Sequence, residues 1–350
     1  MLAGRSPHIA VRNEWLAQEK EEILFPDMPI LDSHHHLWDR PGHRYLFDEL
    51  LGDTRQGHNI QATVFVQSRS MYNIDLPDDL LRPVGEVEFA NGVAAQSASG
   101  LYGSFRACAG IVGSCDLMAR DRLEAVLDRV MAVGGDRFRG VRNQTAWHED
   151  PSIATNPVPP VKGVLLEPAF RDGARRLGAR GLTLDVWAYH TQLDEFENLA
   201  RFCPETTIIL DHLGGPLGAG PYRGRRDEVL VDWRASMAKI AELPNVCVKL
   251  GGLAMGAGGF DFHLADHPPA SEMLAAAWEP YISFAIERFG AHRCMFESNF
   301  PVDKGMVSYR SLWNAFKRLT EGASASEKRD LFFLTAARVY KLGIEPKGEF

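Results

Sequence analysis

Ile30-Leu31-Asp32-Ser33-His34-His35-His36-Leu37-Trp38 runs from apolar residues straight into three histidines, with no glycine or proline to break the run. On a β-strand, alternate side chains share a face. His34 and His36 then point one way and His35 the other. Two imidazoles spaced in this way at a strand end can chelate one divalent metal, or hold one reacting molecule between them. A purification tag is terminal and longer; this cluster is internal.

The first strand is expected over 29–35, and similar short apolar runs recur at 61–67, 105–112, 138–143, 182–189, 206–211, 245–250 and 294–298. They are rich in Val, Ile, Leu and Phe on both faces, as strands of a covered parallel sheet are. Helical patterns separate them, at 85–98, 118–133, 168–180, 192–202, 229–243, 272–289 and 309–321. A last helix is expected over 326–341, with Ser324 and Glu327 in capping-box spacing. Eight strands alternating with helices predict an α/β fold, a (β/α)8 TIM barrel, with an open doubly wound sheet as the alternative. A short helix over 13–24 precedes it. The expected organisation is an N-terminal extension, 1–28, and a single barrel domain, 29–345. Long Gly- and Pro-rich loops at 145–164, 213–228 and 251–270 read as lids or mobile segments.

The chain has 350 residues, 45% apolar and 24% charged, and a net charge of −8. That balance argues against nonspecific nucleic-acid binding, which needs a basic face. The five scattered cysteines form no C-x-x-C pair and read as reduced thiols, which places the protein in the cytoplasm. Neither a signal peptide nor a membrane-spanning apolar stretch is visible. A small-molecule substrate is the expected partner, and homo-oligomers are allowed.

Barrel chemistry sits at the carboxyl ends of strands. There the sequence puts His34 and His36 on strand one, Arg69 after strand two, Arg142 on strand four, Tyr189-His190 on strand five, Asp211-His212-Leu213-Gly214 on strand six, Lys249 on strand seven and Glu297-Ser298-Asn299-Phe300-Pro301 on strand eight. Four histidines at the ends of strands one, five and six converge too well for accident. Arg139 and Arg142 are three apart, so a strand cannot aim both inward. Arg142, nearer the carboxyl end, is assigned to a substrate oxygen, with Arg69 as a second candidate. Trp38 and Tyr189 are candidate pocket walls, along with Met71, Tyr72, Trp147 and Trp187. His148, His263 and His267 are candidate covers of the mouth, and Asp303 and Lys304 either meet substrate or pair with each other.

These motifs resemble the amidohydrolase superfamily, in its amidohydrolase-related branch of TIM-barrel hydrolases that includes 2-pyrone-4,6-dicarboxylate lactonase and sugar-acid lactonases. The resemblance runs over about 29–342. It implies that His34, His36, His190 and residue 299 surround a divalent metal, zinc above all, and that His212 acts on substrate or water. The sequence departs from the pattern at Asn299, where the family carries aspartate. Asn299 can offer a carbonyl oxygen but cannot take a proton. Three imidazoles can still hold zinc with an open position, and some lactonases of this branch work without metal. Glu297, two residues earlier, shares the face of Asn299. It can serve as base, as metal ligand, or as the ion-pair partner of Lys249. The expected function is a hydrolase opening a lactone, or a related cyclic ester or C–N bond, of a small carboxylated metabolite. The alternatives are a metal-dependent non-oxidative decarboxylase or hydratase, and a catalytically silent ligand-binding barrel.

Overall fold

The computed structural model describes residues 8–153, 155–156 and 158–350. Residues 1–7 of the expected extension, and positions 154 and 157 of the 145–164 loop, lie outside the described residues. Eight parallel strands pair in sequence order: β1 (Pro29–His35), β2 (Asn59–Val66), β3 (Arg106–Gly113), β4 (Phe138–Gln144), β5 (Thr183–Trp187), β6 (Ile208–Leu210), β7 (Val246–Leu250) and β8 (Cys294–Phe296). The seam between β8 and β1 is sewn by single contacts. Ser33 Oγ donates to the Phe296 carbonyl at 2.8 Å, and Asn299 N–H donates to the His34 carbonyl at 2.9 Å. Residues 35 and 300 form an isolated parallel bridge. This is the expected TIM barrel, and helices fill the connections between strands.

Alternation within the strands separates two cores. Ile30, Ile60, Ile111, Val141, Val186, Leu210, Val248 and Phe296 face outward and pack with the helices. Leu31, Val64, Val66, Val112, Ile209, Cys247 and Met295 face inward. The chain's end, with Phe333, Ala336, Val339 and Tyr340, joins this inner cluster and closes that end of the barrel. The apolar filling gives way to charge toward the carboxyl ends, where Arg142, Asp185, Asp211, Lys249 and Glu297 are all buried.

One irregularity positions the histidines. Residues 31 and 32 pair with 62 and 63, but residue 35 pairs with 65. β1 therefore carries one extra residue, a β-bulge, which reverses the alternation beyond it. Without it His34 would follow Ile30 and Asp32 to the outside. With it, His34 and His36 turn into the barrel and His35 turns out, where its Nε2 meets Thr63 Oγ1 at 2.8 Å.

Several expectations need correction. The first helix covers only Asn13–Leu16. The acidic residues after it are drawn off by tertiary bonds: Glu21 binds the Ser271 N–H and hydroxyl, and Glu19 accepts from Ser308 Oγ. The last helix begins with the expected capping box but passes through a π-turn, 330–334, before Thr335–Val339. A hairpin, Trp38–Arg40 with His43–Tyr45, and a helix, Phe47–Thr54, were not foreseen in the β1–β2 connection.

Candidate active site

The carboxyl ends of the strands bring His34, His36, Arg142, Asp211, His212 and Glu297 together. His34 Nε2 and His36 Nε2 stand 3.2 Å apart. His36 Nδ1 lies 2.8 Å from the Val66 carbonyl. A carbonyl only accepts, so Nδ1 carries the proton and Nε2 keeps its lone pair. His34 Nδ1 lies 2.9 Å from Glu297 Oε2, 3.6 Å from Asp211 Oδ1 and 3.1 Å from Lys249 Nζ, while Arg142 Nη1, which only donates, faces Nε2 at 3.4 Å and calls for the lone pair there. Two imidazole lone pairs then face one another, an arrangement that calls for a positive centre between them. Two nitrogens about 2.0–2.1 Å from a tetrahedral zinc are themselves about 3.3 Å apart, close to the spacing seen here. Arg142 Nη1, 3.4 Å from His34 Nε2, supplies part of that positive charge.

His212 Nδ1 lies 2.6 Å from Glu297 Oε1, forming a carboxylate–histidine pair. The His212 backbone sits in the left-handed region (φ 54°), at the turn after β6. Its ring is held edge-on against Trp187, with centroids 4.8 Å apart. Among the described residues Glu297 Oε2, close to His34 but off the line of a hydrogen bond, has no hydrogen-bond partner, nor does Asn299 Oδ1. His34, His212 and Glu297 each offer a ligand atom, all within 4.8 Å of one another.

Below this layer Lys249 Nζ binds Asp185 Oδ2 at 2.6 Å and Asp211 Oδ1 at 3.1 Å. Lys249 is therefore not the direct ion-pair partner of Glu297. The Tyr340 hydroxyl donates to Asp185 at 2.7 Å. Three carboxylates and two cations, Arg142 and Lys249, leave one negative charge beneath the histidines.

Protonation follows from these neighbours. Burial, then the Lys249 ammonium, pushes His34 down to about 4. Burial also holds His36 well below the usual imidazole range. Both rings are neutral near pH 7, as ligation requires. Burial alone would raise Glu297, but His212 and His34 outweigh it and hold the carboxyl below its ordinary value. Asp211 is depressed well below its usual range, because Lys249 and His34 overcome its burial.

The pocket above is lined by His36, Trp38, Arg69, Arg142, His212 and Asn299. Asn299 donates to Asp303 Oδ1 at 2.8 Å, and Asp303 also accepts from the Ala254 N–H. Lys304 turns away to Asp53 at 2.7 Å, so Asp303 and Lys304 do not pair. His190 is not brought into the cluster. β5 ends at Trp187, and His190 Nδ1 accepts from the Leu217 N–H at 3.3 Å, with its ring edge-on to Tyr222. The Tyr189 hydroxyl is spent on Thr155 and the Ile153 carbonyl. His148 meets Tyr222, and His267 meets Gln18.

Sequence reasoning missed Asp185, which lies one β-strand pairing from Arg142. It also missed His8, whose ring stacks on Trp38 at 5.6 Å, as Trp38 stacks on His36 at 5.7 Å. A lone histidine far from the motifs carries no signal. The Gly251-Gly252 pair did carry one. A Cβ on Gly251 would lie 2.4 Å from Glu297 Cγ, and one on Gly252 would lie 2.5 Å from His212 Cβ. Bare backbone is what lets the pair approach.

An amidohydrolase family model matches residues 31–342. The chain belongs to the amidohydrolase family. It is 32% identical over 339 residues to the uncharacterized protein y4mH of Sinorhizobium fredii, covering 90% of this chain and 99% of that one. It is 30% identical over 235 residues to an L-fucono-1,5-lactonase of Burkholderia multivorans, 67% of this chain and 72% of that enzyme. An amidohydrolase of Burkholderia multivorans superposes on it in two crystal structures, one with bound HEPES and one with bound zinc. The TM-scores are 0.70 and 0.69 at 26% identity, over 89% of this chain and 99% of that one. As a member of this family the protein is a hydrolase. No helix among the described residues is long and apolar enough to cross a membrane.

Proposed function

We propose that this amidohydrolase opens the ring of a small anionic lactone, with His212 as general base. The observation that carries the reading is the His212–Glu297 pair, 2.6 Å apart, beside the facing His34 and His36 nitrogens. With Nδ1 occupied by Glu297, His212 keeps its Nε2 lone pair for a water molecule. The water oxygen adds to the ring carbonyl as its proton passes to Nε2, and Glu297 stabilises the imidazolium. The ring C–O bond then breaks and the proton returns to the departing alkoxide, giving a hydroxy acid. Arg142, fixed by the Gln67 carbonyl at 2.6 Å, binds a substrate oxygen. Likeness to the L-fucono-1,5-lactonase supports a 1,5-lactone ring, and Arg40, Arg69 and Arg142 around one pocket support an anionic group on it.

The facing lone pairs and the orphaned Glu297 and Asn299 oxygens fit a single divalent cation. His34 and His36 would hold it, with a third donor from the His212–Glu297 pair. Bound there, zinc would polarise the carbonyl and acidify a bound water. The zinc-bound Burkholderia relative supports that choice of metal.

The test is a pH-stat screen of 1,5-lactones and carboxylated lactones, with metal content measured on protein purified without chelator. Acid release is expected. His212→Asn should lower kcat about 10²–10⁴-fold with KM nearly unchanged. Carbon dioxide release from aromatic carboxylates, with every lactone untouched, would replace hydrolysis by decarboxylation.

A further inference from the structure

The catalytic pocket measures only about 50 Å³, close to the volume of one or two waters. A second cavity of about 620 Å³ opens beside it, on the same face of the barrel, between the loops that follow β2, β3 and β4. Arg69 and Gln144 line both. The Arg69 backbone is left-handed (φ 59°), and its guanidinium makes no hydrogen bond or ion pair among the described residues. The far walls are Leu80, Pro83, Met118, Val164 and Phe170. Two of the polar groups lining the cavity, Gln67 Oε1 and Asn143 Oδ1, are buried without a hydrogen-bond partner among the described residues. Asp116 and Asp79, the latter paired with Arg82 at 2.6 Å, also line the cavity, and neither favours a second negative charge there.

We propose that this cavity is a distal substrate subsite, taking an uncharged alkyl or aryl arm that passes between Arg69 and Gln144 while the reacting carbonyl sits beside His212. Which end of the ligand reacts rests on the lactone reading; the existence of the subsite does not. The reacting group sits in the first pocket, and the second has room for the remainder. Orphaned acceptors at Gln67 and Asn143 await a donor such as an amide or hydroxyl at the base of the arm.

The experiment is calorimetric titration of the intact protein with ω-phenylalkanoates, from phenylacetate to 6-phenylhexanoate. These place a carboxylate, the product's functional group, near Arg142 and extend an arm of graded length. Kd should fall by about tenfold or more across the series, because each buried methylene favours binding. Met118→Trp and Leu80→Trp fill the cavity from two different loops at half-buried positions. In either variant the gain with length should vanish while phenylacetate binding stays as in the wild type. A flat series in the wild type, or a steep one unchanged in both folded variants, overturns the subsite. A steep series in a protein that hydrolyses no lactone supports the subsite and removes only the reaction.

Discussion

At the scale of single residues, Glu297 is the side chain whose meaning the structure alters most. Its two oxygens face two histidines, so it acts through them rather than meeting water directly. Glu297→Gln keeps the shape but removes the charge that would stabilise an imidazolium on His212. It should lower kcat about 10²–10³-fold with KM within about threefold. Steady-state kinetics check this, and an unchanged kcat removes Glu297 from the mechanism. A second buried acid behaves in the opposite sense. Glu86 Oε1 accepts from Ser68 N–H, Ser70 N–H and Ser68 Oγ, and so pins the loop that carries Arg69. Burial pushes Glu86 up to about 7 against those bonds. Between about pH 4.5 and 7 the native state binds a proton that the unfolded chain lacks, so this group gains stability as pH falls. Glu86→Gln relieves the cost of ionisation. It should raise stability by on the order of 1–3 kcal/mol at pH 8 and give no gain near pH 4.5. Thermal melts at the two pH values read the difference.

At the scale of elements, the Gly251-Gly252 turn after β7 shows how backbone shape serves the site. Gly252 has φ 67°, and a Cβ there would meet His212 Cβ, Cγ and Nδ1, all within 2.6 Å. Gly252→Ala must therefore displace the His212 ring from Glu297. The variant should lose about tenfold to a hundredfold in kcat, and retain its far-ultraviolet circular dichroism, since the turn lies outside the sheet. The sequence made the strands legible because each is a short β-branched and apolar run, and β1 was read at its exact limits. Convergence of His34, His36, Arg142, His212 and Glu297 followed from their place at strand ends and from barrel geometry. The bulge in β1 was not legible. It is a pairing property of two strands, and neither strand alone records it. His190 shows the complementary failure: strand periodicity carries no information once the chain turns away after Trp187. Asp185, which joins Lys249 and Asp211 in one network, was obscured in the same way, because a charged residue inside a strand reads as solvent-facing until the barrel closes around it.

At the scale of the whole molecule, the burial of so many ionisable groups makes stability depend steeply on pH. Burial pushes His34 and His190 down to about 4, and His35 and His58 down to about 3. Above about pH 6.5 these rings are neutral whether the chain is folded or not, and they cost nothing. Below it the unfolded chain takes up protons that the native state refuses, so stability is lost as pH falls toward the folded values. Each ring costs roughly 2 kcal/mol by pH 5, about 8 kcal/mol for the four. Asp32, raised to about 6 by burial, and Glu86 return part of this, roughly 4 kcal/mol at the same pH. Lys317, lowered to about 7 by burial, works above neutrality. There the native state sheds a proton that the unfolded chain keeps, so stability goes on rising with pH. Across these four rings and two acids the net loss of about 4 kcal/mol between pH 7 and 5 is a large share of the usual 5–15 kcal/mol of a folded protein. Melting temperature should therefore be highest at or above neutral pH and fall sharply below pH 6. His58 isolates the effect, because its ring nitrogens meet the Arg310 carbonyl and Lys317, away from the catalytic cluster. His58→Gln removes one titrating ring. Its melting temperature should drop less between pH 7 and 5 than that of the wild type, and parallel curves would show that buried histidines do not drive acid unfolding.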